Sequence, residues 1–383
     1  MKKRSATDFD LVELEALLLS TGIEKYRGRQ IFEWLYGKGV AAFEGMTNIP
    51  ARVARRLREA GIEPVGSVVE RRVCAKDAAE KSAARLADGS VTEFVLIRHG
   101  RRNTLCLSTQ VGCAVGCVFC ASGSRGFVRN LTAGEIADQY AHALGSLQAG
   151  ERISNIVVMG MGEPMLNLDA VLGAVERLHA SWGANIGLNR ITISTVGYVD
   201  AMRRLAGSRL ATNLAISLHA PTDDMRRLLI PHGPAVSVGE LVNAGVEYSR
   251  TTGKDVSVEY VAIGGVNCQP AHARSLAKLL RRTGIKANII PFNPWRPAEP
   301  QRDGPSSVKA RAVSETGQEG VEKGRVSGAE PDAVVLKRPS VAEVTAFHRE
   351  LERRGIPATI RASRGGDVAA ACGQLALRTP PRA

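Results

Sequence analysis

The stretch Val157-Val158-Met159-Gly160-Met161-Gly162-Glu163-Pro164 reads as the end of an apolar strand running into a glycine-rich turn. The strand starts near Ile153, and Leu168–His179 behind the turn has helical spacing. Strand, turn and covering helix make one β–α unit. The alternation recurs between about 90 and 295. Further strand candidates are Glu93–Ile97, Arg190–Thr195, Ala211–Leu218, Val256–Ala262 and Lys286–Pro291; helices are expected at Ala133–Leu147, Val238–Thr251 and Ala271–Thr283. Repeated β–α units imply a parallel sheet covered by helices. Their number fits an α/β fold built on a partial (β/α)6 barrel, with chemistry on the loops that follow the strands.

Around this core the composition changes. Residues 10 to about 62 carry apolar positions at helical spacing, including Leu11, Leu14, Leu17 and Leu18, then Ile31, Trp34 and Leu35. Residues 298–338 are rich in Pro, Gly, Ser, Glu, Lys and Arg, with few large apolar side chains. That stretch reads as a disordered insertion, flexible and dispensable for catalysis. A helix at Val341–Arg354 and a strand at Ala358–Arg361 follow. The expected division is therefore a helical accessory domain (1–65), linker or extension strands (66–92), the core barrel (93–297), the insertion (298–338) and a C-terminal core extension (339–383).

The chain has 383 residues and a formal net charge of +13. Such an excess favours a polyanionic partner such as RNA or DNA, although a solubilising surface would have the same charge. The sequence has no apolar run long enough to span a bilayer. Met1 to Asp10 has basic residues without a following apolar region, so no signal peptide is expected. The expectation is a cytoplasmic monomer that does not engage a membrane.

Three of the seven cysteines fall in Cys113-Ala114-Val115-Gly116-Cys117-Val118-Phe119-Cys120, a C-x3-C-x2-C motif. Three thiolates on one loop can hold three irons of a [4Fe–4S] cluster and leave the fourth iron free for a small molecule. A structural zinc ion would want a fourth Cys or His nearby, and none has the usual spacing. The motif is also the signature of the radical S-adenosylmethionine superfamily. The turn at Gly160–Pro164 resembles the superfamily's element that meets the amino group of S-adenosylmethionine; its glycines allow close backbone approach, and Glu163 can accept hydrogen bonds from an ammonium. Cys74 and Cys268 read as buried small hydrophobes. Cys372 differs, because Arg361, Arg364, Gly365 and Gly366 precede it and would put it on an accessible, electropositive loop.

An ordered set of segments resembles the RlmN/Cfr family of radical RNA adenine methyltransferases. It runs from Tyr26-Arg27-x-x-Gln30-Ile31-x-x-Trp34-x-Tyr36 through Glu93, Thr104-Leu105-Cys106-x-Ser108-x-Gln110-Val111-Gly112-Cys113 and Gly126-Phe127-x-Arg129-Asn130-Leu131. It continues with Met159–Pro164, Ile191-Thr192-Ile193-Ser194-Thr195-Val196-Gly197, Ser217-Leu218-His219-Ala220, Pro291-Phe292-Asn293-Pro294 and Ala370-Ala371-Cys372-Gly373-Gln374-Leu375. The match covers about residues 15 to 376 apart from the insertion.

The resemblance implies the roles. Cys113, Cys117 and Cys120 would ligate the cluster. Gly162, Glu163, Ser194, Ser217, Leu218, His219 and Asn293 would line the S-adenosylmethionine site. Two S-adenosylmethionine molecules would serve each turnover, one to methylate Cys372 and one to generate a radical that activates that methyl group. Cys106 would resolve the RNA-tethered state through a transient disulfide, and Glu93 would accept the ring proton. The implied substrate is C2 of an adenosine in 23S rRNA and in tRNA, with flavodoxin or ferredoxin as electron donor. Methylation at adenine C8 is the alternative within the family. A non-catalytic, metal-stabilised RNA-binding protein is the alternative of another class. Arg52, Arg55, Arg56, Arg58, Arg98, Arg101, Arg102, Arg125, Arg129, Arg353 and Arg364 are candidates for phosphate contacts.

Overall fold

A computed structural model describes residues 4–100, 102–295 and 336–376. β1 (Arg4–Ser5) pairs in parallel with β2 (Ile62–Glu63), closing a helical unit of α1 (Leu11–Ser20), α2 (Tyr26–Phe32) and α3 (Ala51–Glu59). The Asp10 carboxylate caps α1 by accepting from the Glu13 amide at 2.8 Å, and Glu13 returns the bond to the Asp10 amide at 2.9 Å. Leu11, Leu14 and Leu18 then fall on the buried face. This unit shares one hydrophobic core with the rest of the molecule, and Phe32 stacks on Trp182 with ring centroids 5.2 Å apart.

The main sheet has ten strands: β3 (Ser67–Cys74), β4 (Ala79–Leu86), β5 (Val91–His99), β6 (Arg102–Cys106), β9 (Ile153–Val158), β10 (Ile191–Thr195), β11 (Asn213–Ser217), β12 (Val256–Ala262), β13 (Lys286–Pro291) and β14 (Ala358–Ile360). They lie in that order from edge to edge. From β6 to β14 every pairing is parallel. The connections carry helices: α5 (Ala133–Leu144), α6 (Leu168–His179), α7 (Val199–Ala206), α8 (Asp223–Leu229), α9 (Val238–Thr252), α10 (Pro270–Leu280) and α11 (Val341–Arg353). The chain between β6 and α5 forms a small antiparallel ribbon, β7 (Gln110–Gly112) with β8 (Phe127–Asn130), and one turn of helix, α4 (Ala121–Ser124). The sheet does not close on itself, so the barrel is partial.

Two expectations need correction. The strand holding Glu93 is not a member of the parallel series. β5 returns into β6 through a tight turn at Gly100, which forces an antiparallel pair, and β6, which the periodicity did not reveal, is the first parallel strand. Cys74 is exposed rather than buried, because it ends β3 at the sheet edge; Cys268 is buried. Most of the expected insertion, residues 298–335, lies outside the described residues. Its last residues are in place: Lys337 bridges to Gly264, and Arg338 donates to Asn293 Oδ1 at 2.8 Å.

Candidate active site

The carboxyl ends of the parallel strands open on a cavity of about 500 Å³, a size suited to a cofactor-scale ligand. Cys113, Cys117 and Cys120 line one wall, each partly exposed and none in a disulfide. The β7–β8 ribbon holds their loop. Gly112 has φ +77°, and a Cβ there would fall 1.9 Å from the Gly126 carbonyl oxygen, so only glycine permits this approach. The Cys113 amide donates to that same oxygen at 2.9 Å. Val118 is tied to the Leu229 carbonyl at 3.1 Å.

Burial pushes the Cys113 thiol up to about 12, and Cys117 is raised well above its ordinary value. In both cases the neighbouring thiols add to the burial effect by mutual repulsion. Gathered thiolates of this kind call for positive charge, and a metal cluster supplies it. Among the described residues no three His, Cys, Asp or Glu side chains converge as ligands of a single ion. A cuboidal cluster asks for a wider spread, because each thiolate binds a different iron. Three thiols on one loop fit a cluster whose fourth iron binds a small molecule.

The glycine turn after β9 forms the floor. Gly162, at φ +105°, sits so close to Gln110 that an added Cβ would lie 2.6 Å from that residue's Cβ. Glu163 is 3% exposed and lines the cavity. Its carboxylate accepts from the amides of Met165 at 3.0 Å and Val196 at 2.9 Å, which joins the turn to β10. Burial raises its pKa to about 7 against those hydrogen bonds. Ser194 and Ser217 share a hydrogen bond of 3.1 Å between neighbouring strands. His219, at φ +58°, accepts from the Val261 amide at Nδ1 over 3.1 Å. Burial lowers its pKa to about 3, so the ring is neutral and carries its proton on Nε2. Asn293 donates to the Cys372 carbonyl at 3.3 Å. Of the residues expected around S-adenosylmethionine, Leu218 stands apart: its side chain packs into the main core, and its amide donates to the Glu259 carbonyl at 3.1 Å.

Cys106 and Cys372 line the same cavity. Cys106 ends β6, whereas Cys372 sits on the segment after β14. That segment is fastened to the cysteine loop: the Ala121 amide donates to Gly373 O at 2.7 Å, and Ser122 Oγ to Leu375 O at 2.6 Å. Residue 372 is exposed, as expected for an accessible loop. Its thiol is nonetheless desolvated by the surrounding walls and rises to about 11; Arg361 opposes the rise without overcoming it. Cys106 rises to about 12, first through burial and then through repulsion by Cys372. Glu93 lies on the same face of β5 as the cavity-lining Val95 and Ile97, beneath the C-terminal segment. It is 4% exposed, and burial raises its pKa although Lys81 and Arg125 oppose the shift.

Sequence reasoning missed two polar residues here, Glu259 and Lys81, and with Glu259 the partner of Arg361. Glu259 and Arg361 both line the cavity and pair at 3.4 Å, with Asn288 donating to the other Glu259 oxygen at 2.7 Å. A single carboxylate inside the largely apolar strand Val256–Ala262 was the available signal. Lys81, 3.2 Å from Glu93, was hidden in an alanine-rich strand that resembled a linker. Several arginines proposed for RNA are already occupied. Arg98 pairs with Glu80, Arg129 with Asp88 and Glu135, Arg58 with Glu44, and Arg353 with Glu350. Arg102 lines the cavity, and Arg101 lies outside the described residues.

Comparison with known proteins identifies the family. The profile of the Radical SAM superfamily matches residues 107–276, and that of the ribosomal RNA large subunit methyltransferase N-terminal domain matches residues 6–62. A protein of Symbiobacterium thermophilum named "Probable dual-specificity RNA methyltransferase RlmN" is 41% identical, over 96% of this chain and 90% of its own length. A namesake in Thermotoga neapolitana is 39% identical over 98% of each chain. The crystal structure of a radical SAM methyltransferase from Sphaerobacter thermophilus superposes with a TM-score of 0.82 at 40% identity, covering 96% of this chain and 98% of that one. A [4Fe–4S] cluster and S-adenosylmethionine come with the superfamily. No helix among the described residues is long and apolar enough to cross a membrane. The chain belongs to the RlmN family of radical S-adenosylmethionine RNA methyltransferases.

Proposed function

We propose that the protein methylates C2 of an adenosine in 23S rRNA, and in tRNA, through a methyl group carried on Cys372. One observation carries this reading. Two thiols remote in sequence, Cys106 and Cys372, line the same cavity as the cysteine loop. A radical enzyme that only cleaved S-adenosylmethionine would need the loop alone.

Cys113, Cys117 and Cys120 would hold the cluster. Gly162, Glu163, Ser194, Ser217, His219 and Asn293 would surround S-adenosylmethionine, with Leu218 contributing only backbone. When bound, this pair of cofactors supplies the methyl group and a carbon radical able to take hydrogen from it. Two S-adenosylmethionine molecules serve each turnover, because the carrier must be methylated before its methyl group is activated. Cys372 presents the methyl group to the adenine and becomes tethered to it. Glu93, its pKa raised by burial, takes the ring proton, and the adduct's unpaired electron would return to the oxidised cluster, leaving a closed-shell thioether. Cys106, as thiolate, then attacks the Cys372 sulfur. A sulfur–sulfur bond forms, the sulfur–carbon bond breaks, and the product carbon keeps the electron pair and gains a proton. An external dithiol reduces the disulfide. A flavodoxin or ferredoxin in the cytoplasm would provide electrons to a monomeric enzyme.

The test is anaerobic reconstitution with S-adenosylmethionine, a reductant and 23S rRNA fragments or tRNA. Mass spectrometry should find 5′-deoxyadenosine together with 2-methyladenosine. Production of 8-methyladenosine alone would overturn the assignment to C2.

A further inference from the structure

We propose that Lys81 is a positioning residue for this reaction, a single ammonium that holds both the Glu93 carboxylate and the loop bearing Cys372. The inference rests on the proposed role of Glu93 as proton acceptor. Lys81 Nζ lies 3.2 Å from Glu93 Oε1 and donates to the Ala369 carbonyl at 3.1 Å. Lys81 pairs with Val95 and Ala83 with Glu93 across the β4–β5 ladder, so the two side chains are diagonal neighbours on one face. Both are withdrawn from solvent, with side chains 12% and 5% exposed.

Two independent features set this apart from an ordinary ion pair. Glu93 Oε2 is buried and has no hydrogen-bond partner among the described residues. Buried carboxylate oxygens are normally satisfied, and an empty one is an acceptor waiting for a donor. Ala369, three positions before Cys372, has φ +52°, a left-handed conformation that a non-glycine residue adopts at a cost. The lysine bond to its carbonyl helps to hold that turn. An ammonium has three donors, so one lysine can serve both partners.

The arrangement makes the state of the base depend on the seat of the carrier loop. Lys81 from β4, Arg125 after α4 and the Ala376 amide of the C-terminal segment are the charged and polar groups that face Glu93. Of the two cations, Lys81 is the one that bonds to the loop, at the Ala369 carbonyl. With the loop docked, the ammonium is fixed beside Oε1, and Oε2 is left without a partner among the described residues, with capacity for a proton. The supported step is a proton transfer: a C–H bond of the tethered radical adduct breaks, the proton goes to Glu93, the bonding pair stays on the ring, and the unpaired electron would leave to the one-electron acceptor that cleavage of S-adenosylmethionine produces, the oxidised cluster.

The experiment uses the full-length reconstituted enzyme with K81M, K81Q, K81R and E93Q. Three products are followed in single turnovers: 5′-deoxyadenosine, methylated RNA, and the covalent RNA–protein adduct on denaturing gels. In K81M and K81Q, 5′-deoxyadenosine should form at close to the normal rate while adduct resolution slows about 10- to 100-fold. K81R should recover part of the loss. In the cofactor-free protein, K81M should also raise the rate of Cys372 alkylation, read by peptide mass spectrometry. K81Q and K81R keep a polar head and decide the matter if K81M does not fold. Normal adduct resolution in K81Q, with adduct accumulating in E93Q, would overturn the role of Lys81 and leave that of Glu93 intact. Wild-type methylation by E93Q would instead overturn the reading on which the inference rests.

Discussion

Two of the buried acidic centres, Glu93 and Asp138, are built in opposite ways. Glu93, on the strand face that carries the cavity-lining Val95 and Ile97, has one paired oxygen and one with no partner among the described residues. Asp138 on α5 is 0% exposed, and donors surround it: Thr7 Oγ1 at 2.6 Å, the Gly66 amide at 2.8 Å and Ser67 Oγ at 2.9 Å. Ser67 in turn meets His142 Nε2 at 3.1 Å. Burial raises both carboxyls, Asp138 to about 7. A saturated network fixes structure, here the seat of the N-terminal segment against α5. An unsaturated one keeps capacity for a proton from elsewhere. Breaking the first should cost stability, and breaking the second should cost chemistry.

The largest effect should come from the cysteine loop. Cys117→Ala removes a cluster ligand, so iron content, the visible absorbance of the cluster and 5′-deoxyadenosine production should all be lost. Cys372→Ala should be nearly as severe for methyl transfer, with methylated adenosine below detection, yet the cluster absorbance should remain. A variant that still methylates RNA would remove the carrier role. Cys106→Ala leaves the carrier in place and should stop the reaction after tethering, so RNA should migrate with protein on denaturing gels. Free product formed at the normal rate would show that Cys106 is not the resolving thiol. None of these changes should shift Tm by more than a few degrees, because each side chain lies at the cavity and not in the main core.

Legibility in the sequence followed distance along the chain. The strands β9 to β13 were visible because each is an apolar run bounded by turn residues. The cysteine loop was visible because its three thiols lie within eight positions. The β3–β4 hairpin was obscure, since the alanines of Ala79–Leu86 carry little strand signal and pack on both faces only once β3 and β5 flank them. Lys81 and Arg361 gain meaning only from partners that topology brings to them, Glu93 and Glu259. The meeting of Cys372 with Cys106 had no local signature and entered through family resemblance. The Asp138 network was likewise unreadable, because Thr7, Ser67 and Asp138 come from three separate segments.

Asp138→Asn should have the smallest effect on chemistry, and it separates the two centres through pH. The Asp138 carboxyl titrates near 3.8 in an unfolded chain and near 7 in the fold. Between those values the folded state holds the extra proton, so this group's contribution to stability is greatest in acid and fades as pH rises toward 7. His142 has the opposite sign. Burial lowers it from its ordinary 6.5 to about 4, so its contribution is present above 6.5 and is lost as pH falls toward 4. In the shared window, from about 4 to 6.5, the two slopes oppose each other in the wild-type protein. The amide that replaces the carboxyl in Asp138→Asn cannot titrate, which leaves the histidine slope uncompensated. The unfolding free energy of the variant, from denaturant titrations, should then fall relative to wild type on acidification from pH 6.5, by at most about 1.4 kcal/mol per pH unit. Resolution of the RNA adduct, measured at about pH 7.5, should be unchanged. A variant whose stability runs parallel to wild type across that window would show that Asp138 and His142 do not titrate against each other. A variant that accumulates adduct would show that the satisfied centre reaches the chemistry after all.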